Sequence, residues 1–235
     1  MNARPDARSP DALRDITFET GVQRHVAGSV LVKWGQTHVL CAATFEDRVP
    51  GHRLQSGGGW LTAEYAMLPG STQERQRRER PNVSGRTAEI QRLIGRSLRA
   101  VINLDQLGPR TLWIDCDVVQ ADGGTRCASI TAAYVASVLA IRAAGLKLAP
   151  PPVAAVSVGI VKGQSLLDLC YVEDSSAEVD LNYVATPNGI VEVQGTAEGK
   201  PFPRPRLDAL LDLAQGACTT LFELQTRALD AAAGR

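Results

Sequence analysis

The chain has 235 residues, 44% of them hydrophobic and 21% charged, a composition that supplies a buried core and excludes disordered and fibrous classes. Net charge is zero, with 25 basic and 25 acidic side chains, which taken alone points away from a nucleic-acid partner. No run approaches the ~20 consecutive apolar residues of a membrane span, and the polar first dozen residues (Asn2, Arg4, Asp6, Arg8, Asp11) lack the apolar centre of a secretory signal, so the expectation is a cytoplasmic protein with no membrane partner.

In chain order, Ser29 to Thr44 reads as two β-rich runs broken by a hairpin signal at Gly35-Gln36. Arg53 to Gly59 ends in three glycines but lacks the Lys-Ser/Thr of a phosphate-binding loop, so it reads as a flexible connection or a close backbone approach. Leu61 to Leu68 is a short strand closed by Pro69-Gly70, and Ser71 to Pro81 has no apolar periodicity and should be an exposed loop. The neutral net charge hides an asymmetry. From Arg75 to Arg99 there are eight arginines against only Glu79 and Glu89. Arginine's planar fork suits phosphate, although a single-sign run is also what a solvated face looks like.

A helix is expected from about Thr87, with Ile90, Leu93, Ile94, Leu98, Val101 and Ile102 as its buried stripe and Arg92, Arg96 and Arg99 on the opposite face. Arg86 falls at the entry of that helix, beside unpaired backbone N–H groups that favour an anion. Thr111 to Gln120 alternates as a strand, with Leu112, Ile114, Cys116 and Val118 on one face. It leads through Gly123-Gly124-Thr125-Arg126 into a long helix stopped by Gly145. Pro150 to Pro152 is a stiff connector between two packed halves, roughly 1–149 and 153–235, of one domain spanning 1–235.

The second half opens with expected strands at Val153 to Val161 and Ser165 to Val172, the latter ending at Asp174. The Gly-Gln pairs at Gly35 and Gly163, each followed by Glu-Asp, hint at an internal duplication. Val179 to Ala185 and Ile190 to Gly195 form a hairpin whose Pro187-Asn188-Gly189 fits a three-residue loop with a left-handed glycine. That loop sets Asp180 opposite Thr196, with Glu198 on the same side. Leu207 to Ala232 is an amphipathic helix. The five cysteines include no C-x-x-C pair and read as reduced core residues, and the three histidines have no metal spacing.

Two anion-favouring helix starts therefore stand beside an acidic group. Gly124 lets backbone approach a phosphate, Thr125 donates a hydroxyl and Arg126 supplies full charge. Glu173, Asp174, Glu178 and Asp180, with Glu192 and Glu198 beyond the turn, are either Mg²⁺ ligands or solvated loop acids.

The stretches WLTAEYAMLPGST (Trp60 to Thr72), SGRTAEIQRLIGRSLRAV (Ser84 to Val101) and IDCDVVQADGGTR (Ile114 to Arg126) closely resemble the ribonuclease PH family. EDSSAEVDLN (Glu173 to Asn182) and VQGTAEG (Val193 to Gly199) continue the match, which runs from Arg4-Pro5-Asp6 to the C-terminal helix. Ala7, Cys127 and Ala132 depart from commoner family choices, as does the proline-rich stretch Lys200 to Pro205. The resemblance implies an α/β (α+β) fold of the ribosomal protein S5 domain 2-like type, with mixed sheets packed against helices. It implies a phosphate-dependent 3′→5′ exoribonuclease that matures tRNA 3′ ends, releases nucleoside diphosphates, and in reverse acts as a nucleotidyltransferase. By the same resemblance Arg86, Gly124, Thr125 and Arg126 hold inorganic phosphate, and Asp174 and Asp180 are catalytic carboxylates. With Glu198 as a weaker third, these acids bind Mg²⁺ or Mn²⁺. A homohexamer built as a trimer of dimers is implied too. Arg75, Arg77, Arg78 and Arg80 would then hold RNA or serve assembly, joined in RNA holding by Arg92, Arg96 and Arg99.

Overall fold

The computed structural model describes residues 4–55, 57–79 and 82–234. Among the described residues nine strands form two sheets: β1 (Ile16–Thr20), β2 (Gly28–Trp34), β3 (Thr37–Glu46), β4 (Trp60–Met67) and β5 (Thr111–Gln120) in one, and β6 (Ala154–Val161), β7 (Gln164–Leu167), β8 (Val179–Thr186) and β9 (Gly189–Ala197) in the other. Their orders are β1-β2-β3-β5-β4 and β7-β6-β8-β9. All neighbours run antiparallel except β4 beside β5. That parallel step needs a long crossover, which α1 (Gly85–Arg99) supplies. Two further long helices, α2 (Thr125–Ala143) and α4 (Arg204–Ala233), and a single turn, α3 (Tyr171–Asp174), complete the chain.

Helix α2 is the centre of the molecule. It packs against β2 and β3 of the first sheet, β6 of the second, and α1 and α4. Nearly every residue from Thr125 to Ile141 is buried. This explains why α2 is apolar all round while α1, with one face to solvent, keeps a stripe. By length and composition α2 is apolar enough to cross a membrane, but 78% of that window is buried inside the protein. One continuous hydrophobic cluster joins both sheets through it.

The Gly35-Gln36 turn, β4, β5 and α2 fall where periodicity predicts them. Two expectations need correction. The segment after β6 is not a strand to Val172: pairing ends at Leu167, Asp168 takes a positive φ of 56°, and the chain turns into α3, so Asp174 closes a helical turn. The β8–β9 loop is a two-residue turn, because Thr186 pairs with Gly189, whose φ of 146° is not left-handed in the α sense. A register shift between Val184 and Ala185 restores the lost residue, so Asp180 still faces Thr196. Strand β1 is a five-residue element with no sequence expectation behind it.

Candidate phosphate site and carboxylate edge

The site lies where the C-terminal end of β5 meets the start of α2. Gly123 and Gly124 take positive φ values of 73° and 68°, conformations that glycine adopts without Cβ strain. Gly123 answers a second demand as well. A Cβ there would sit 2.7 Å from the Leu169 carbonyl oxygen and 2.8 Å from the Tyr171 nitrogen. The phosphate-type turn is thus in backbone contact with the segment that launches α3 and Asp174.

No side chain caps α2, because its N-cap is Gly124, so the first amides of a 19-residue helix stay available to an anion. Thr125 is buried and its hydroxyl is 2.9 Å from the Tyr65 hydroxyl on β4. Arg126 donates from Nη2 to Glu89 Oε2 at 3.3 Å, whereas its Nε is buried with no hydrogen-bond partner. A buried donor left unmatched costs ~1–3 kcal/mol. Arg86 is exposed in the first turn of α1, just after the Ser84 cap accepts from the Thr87 amide.

Arg86 and Arg126 converge electrostatically: the charges of both act on Tyr65, Asp174 and Asp180. Burial pushes the Asp174 carboxyl up against the pull of these arginines, and Glu198 adds to the rise. Asp180 on β8 is pushed up to about 6, first by burial and then by the Asp174 charge. Burial also raises Tyr65, offset in part by its bond to Thr125 and by the two arginines. Two guanidinium groups therefore act on two carboxylates, of which Asp174 in turn raises Asp180. Glu198 is exposed just beyond β9, its amide bound to the Glu178 carbonyl. It also borders a cleft of about 490 Å³ lined by Glu178, Lys200, Phe202 and Arg206.

A buried ionic network behind the pocket holds both of its walls. Asp168 accepts from the Arg14 backbone amide, the Arg14 guanidinium and Trp34 Nε1. Arg14 in turn donates to the carbonyls of Asp122 and Gly123, at 2.6 and 3.5 Å. Arg4 grips Glu173, the neighbour of Asp174, with bonds of 2.8 and 2.9 Å. None of Arg14, Asp168, Tyr65 or Glu89 stands out in the sequence. Arg4, Tyr65, Glu89 and Glu173 lie in the stretches that resemble the family, whereas Arg14 and Asp168 lie outside those stretches.

The remaining arginines divide. Arg75, Arg77 and Arg78 are exposed on the loop after β4, and Arg80 lies outside the described residues. The loop's root is tied to the site by the Ala121 amide, which donates to the Ser71 carbonyl at 2.8 Å. On α1, Arg92 is exposed, but Arg96 forms a two-bond pair with Glu192 of β9. Arg99 leaves the expected stripe: it lies 5.0 Å from the Trp60 ring centre and donates to the Leu61 carbonyl.

Comparison with known proteins shows the family. The description "3′ exoribonuclease family, domain 1" matches residues 12–144, and "3′ exoribonuclease family, domain 2" matches residues 151–217. The chain belongs to the 3′ exoribonuclease family. Within it, ribonuclease PH of Crocosphaera subtropica is 54% identical over 97% of this chain and 98% of its own length. Ribonuclease PH of Rhodococcus erythropolis is 55% identical over 97% and 92%. Among solved structures, rice (Oryza sativa) Rrp46 superposes with a TM-score of 0.80 at 17% identity, covering 96% of this chain and all of that one. A chain of the Archaeoglobus fulgidus exosome with RNA bound to the active site also gives 0.80, at 21% identity, covering 94% and 92%. These two structural likenesses show the same fold. The match to the ribonuclease PH relatives extends along nearly the whole chain.

Proposed function

We infer that this exoribonuclease shortens RNA from its 3′ end by transferring the terminal nucleotide to inorganic phosphate, releasing nucleoside diphosphates, with tRNA precursors as its substrates. The observation that carries the reading is the Arg126 guanidinium, whose buried Nε has no acceptor, at the uncapped start of α2 and opposite Asp174 and Asp180. A tetrahedral oxyanion satisfies that donor, the helix amides and Arg86 together.

Phosphorolysis brings an anion against a phosphodiester that is itself negative, so catalysis rests on neutralisation and alignment. Arg86 and Arg126 offset the charge of the attacking phosphate, and the amides of Thr125 and Arg126 fix its orientation. The Tyr65 hydroxyl holds that of Thr125 in place.

Among the described residues no compact group of three His, Cys, Asp or Glu side chains surrounds a metal position. The donor set still suits Mg²⁺ or Mn²⁺, which bind through one or two carboxylates and take phosphate oxygens and water for the rest. Asp174 and Asp180 would hold the ion, which relieves the repulsion that raises Asp180, with Glu198 at their margin. When bound, it supplies charge to offset the scissile group and the leaving 3′ oxygen.

Arg75, Arg77, Arg78 and Arg92 are exposed charges suited to holding the RNA backbone without reading bases. With 5% aromatics, little base stacking is available, and little sequence preference is expected. The likeness to exosome subunits supports assembly into a ring, here six copies of this chain, and RNA maturation fits a cytoplasmic location.

A tRNA bearing extra 3′ nucleotides, incubated with and without phosphate, tests the reading. Diphosphates released only with phosphate support it. Equal trimming without phosphate, with monophosphate products, overturns it in favour of hydrolysis.

A further inference from the structure

Arg126 is held by a carboxylate that the phosphate reading leaves unexplained. Glu89 stands one helical turn after Arg86 on α1. Its Oε2 accepts from Arg126 Nη2 at 3.3 Å, and its Oε1 accepts from Gln194 Nε2 at 3.1 Å. Gln194 belongs to β9, two residues before the Thr196 that pairs with Asp180. The same amide donates to Glu192 at 2.9 Å, and Glu192 holds Arg96 with two bonds. A polar strip thus runs Arg126–Glu89–Gln194–Glu192–Arg96 along the seam between α1 and β9, tying the anion-binding guanidinium to the strand pair that carries Asp180.

A negative charge beside an anion seat opposes the anion, since at a few ångströms two like charges repel by several kcal/mol at intermediate dielectric. Its presence needs a compensating gain. The geometry supplies one: with Nη2 fixed by Glu89, the flexible Arg126 side chain loses its rotamer freedom before phosphate arrives, and its unmatched Nε edge keeps one direction. We propose that Glu89 is a positioning residue, which presets Arg126 for phosphate and, through Gln194, fixes its distance from the Asp180 strand. This rests on the assignment of Arg126 to phosphate.

Steady-state phosphorolysis of a 3′-extended tRNA, with phosphate varied at saturating RNA and RNA varied at saturating phosphate, tests it in the full-length protein. Glu89→Ala should raise the KM for phosphate about tenfold with the KM for RNA unmoved, the size of one charge-assisted hydrogen bond. Glu89→Gln keeps an acceptor oxygen and should recover most of that loss. Gln194→Ala, which cuts the strip at its other end, should raise the phosphate KM about threefold. A phosphate KM that stays level or falls in Glu89→Ala overturns the proposal, as does an equal rise in the KM for RNA. Arg126→Ala separates the two levels: if it leaves the phosphate KM unmoved, the phosphate assignment itself fails. If it raises that KM while Glu89→Ala does not, only the positioning role is lost.

Discussion

Two populations of arginine occupy this protein, and they differ in what surrounds them rather than in sequence. Arg4 and Arg14 are buried, each satisfied by a carboxylate and by backbone carbonyls. Arg75, Arg77 and Arg78 face solvent on the loop after β4. A cation taken from water must recover its lost hydration from fixed partners, whereas an exposed one keeps its hydration and remains free to exchange it for a ligand. The buried set therefore shapes the site and the exposed set meets what comes to it. Arg126 sits between them, with one edge held and one buried donor unmatched.

The largest test of this contrast is Asp168→Ala. It takes the carboxylate from the buried Arg14 guanidinium, which keeps only backbone carbonyls as hydrogen-bond acceptors, and leaves the Trp34 indole without its acceptor, and should cost about 3–5 kcal/mol in urea unfolding. A loss below about 1 kcal/mol would place the network outside the scaffold.

Next comes Asp180. Burial and the Asp174 charge raise it to about 6, above the ~3.9 of an unfolded chain. Stability from a group raised in this way is full below pH ~4 and is lost as pH climbs through about 6. Asp180→Asn removes the buried charge. With chelator present, the variant should be more stable than the parent above pH ~6, by up to about 3 kcal/mol, and the gap should vanish below pH ~4. A gap that stays constant across that range contradicts the assignment of burial as the cause.

Arg86→Ala, at the exposed lip, should raise the KM for phosphate about tenfold and leave RNA binding largely intact. Wholesale loss of RNA binding would assign Arg86 to RNA rather than to phosphate. The smallest change in stability is expected from replacing Arg75, Arg77 and Arg78 together by Ala, within about 0.5 kcal/mol. The same variant should flatten the dependence of log affinity for single-stranded RNA on log salt by about 2. An unaltered slope would show that these arginines do not meet phosphate.

Strands β4 and β5 and helices α1 and α2 were legible because each buries one face, or all faces, at a fixed period. The glycine turn before α2 was legible because few residues tolerate its backbone. Strand β1 was not, since five residues carry too little periodicity. The Asp180–Thr196 register holds although the turn is one residue shorter than the sequence predicts, because the register shift between Val184 and Ala185 compensates. Arg14 and Asp168 lie 154 positions apart, and Arg4 and Glu173 lie 169 apart, so no local pattern announces either pair. Arg99 was misplaced for a related reason, because helical spacing says which residues share a face but not that Trp60 is there to cover one of them. Glu89 looked like a stray acid in a basic run, and only its two partners, one from α2 and one from β9, give it a part.

The contact between Gly123 and the Leu169–Tyr171 backbone bears on how such a site can vary. Not even a single carbon fits between the two turns. The gap between the Gly123–Gly124 turn and the segment that leads to Asp174 is therefore set by main chain against main chain. Exchanges among neighbouring side chains can retune charge and hydrogen bonding within the pocket, while its width stays the same.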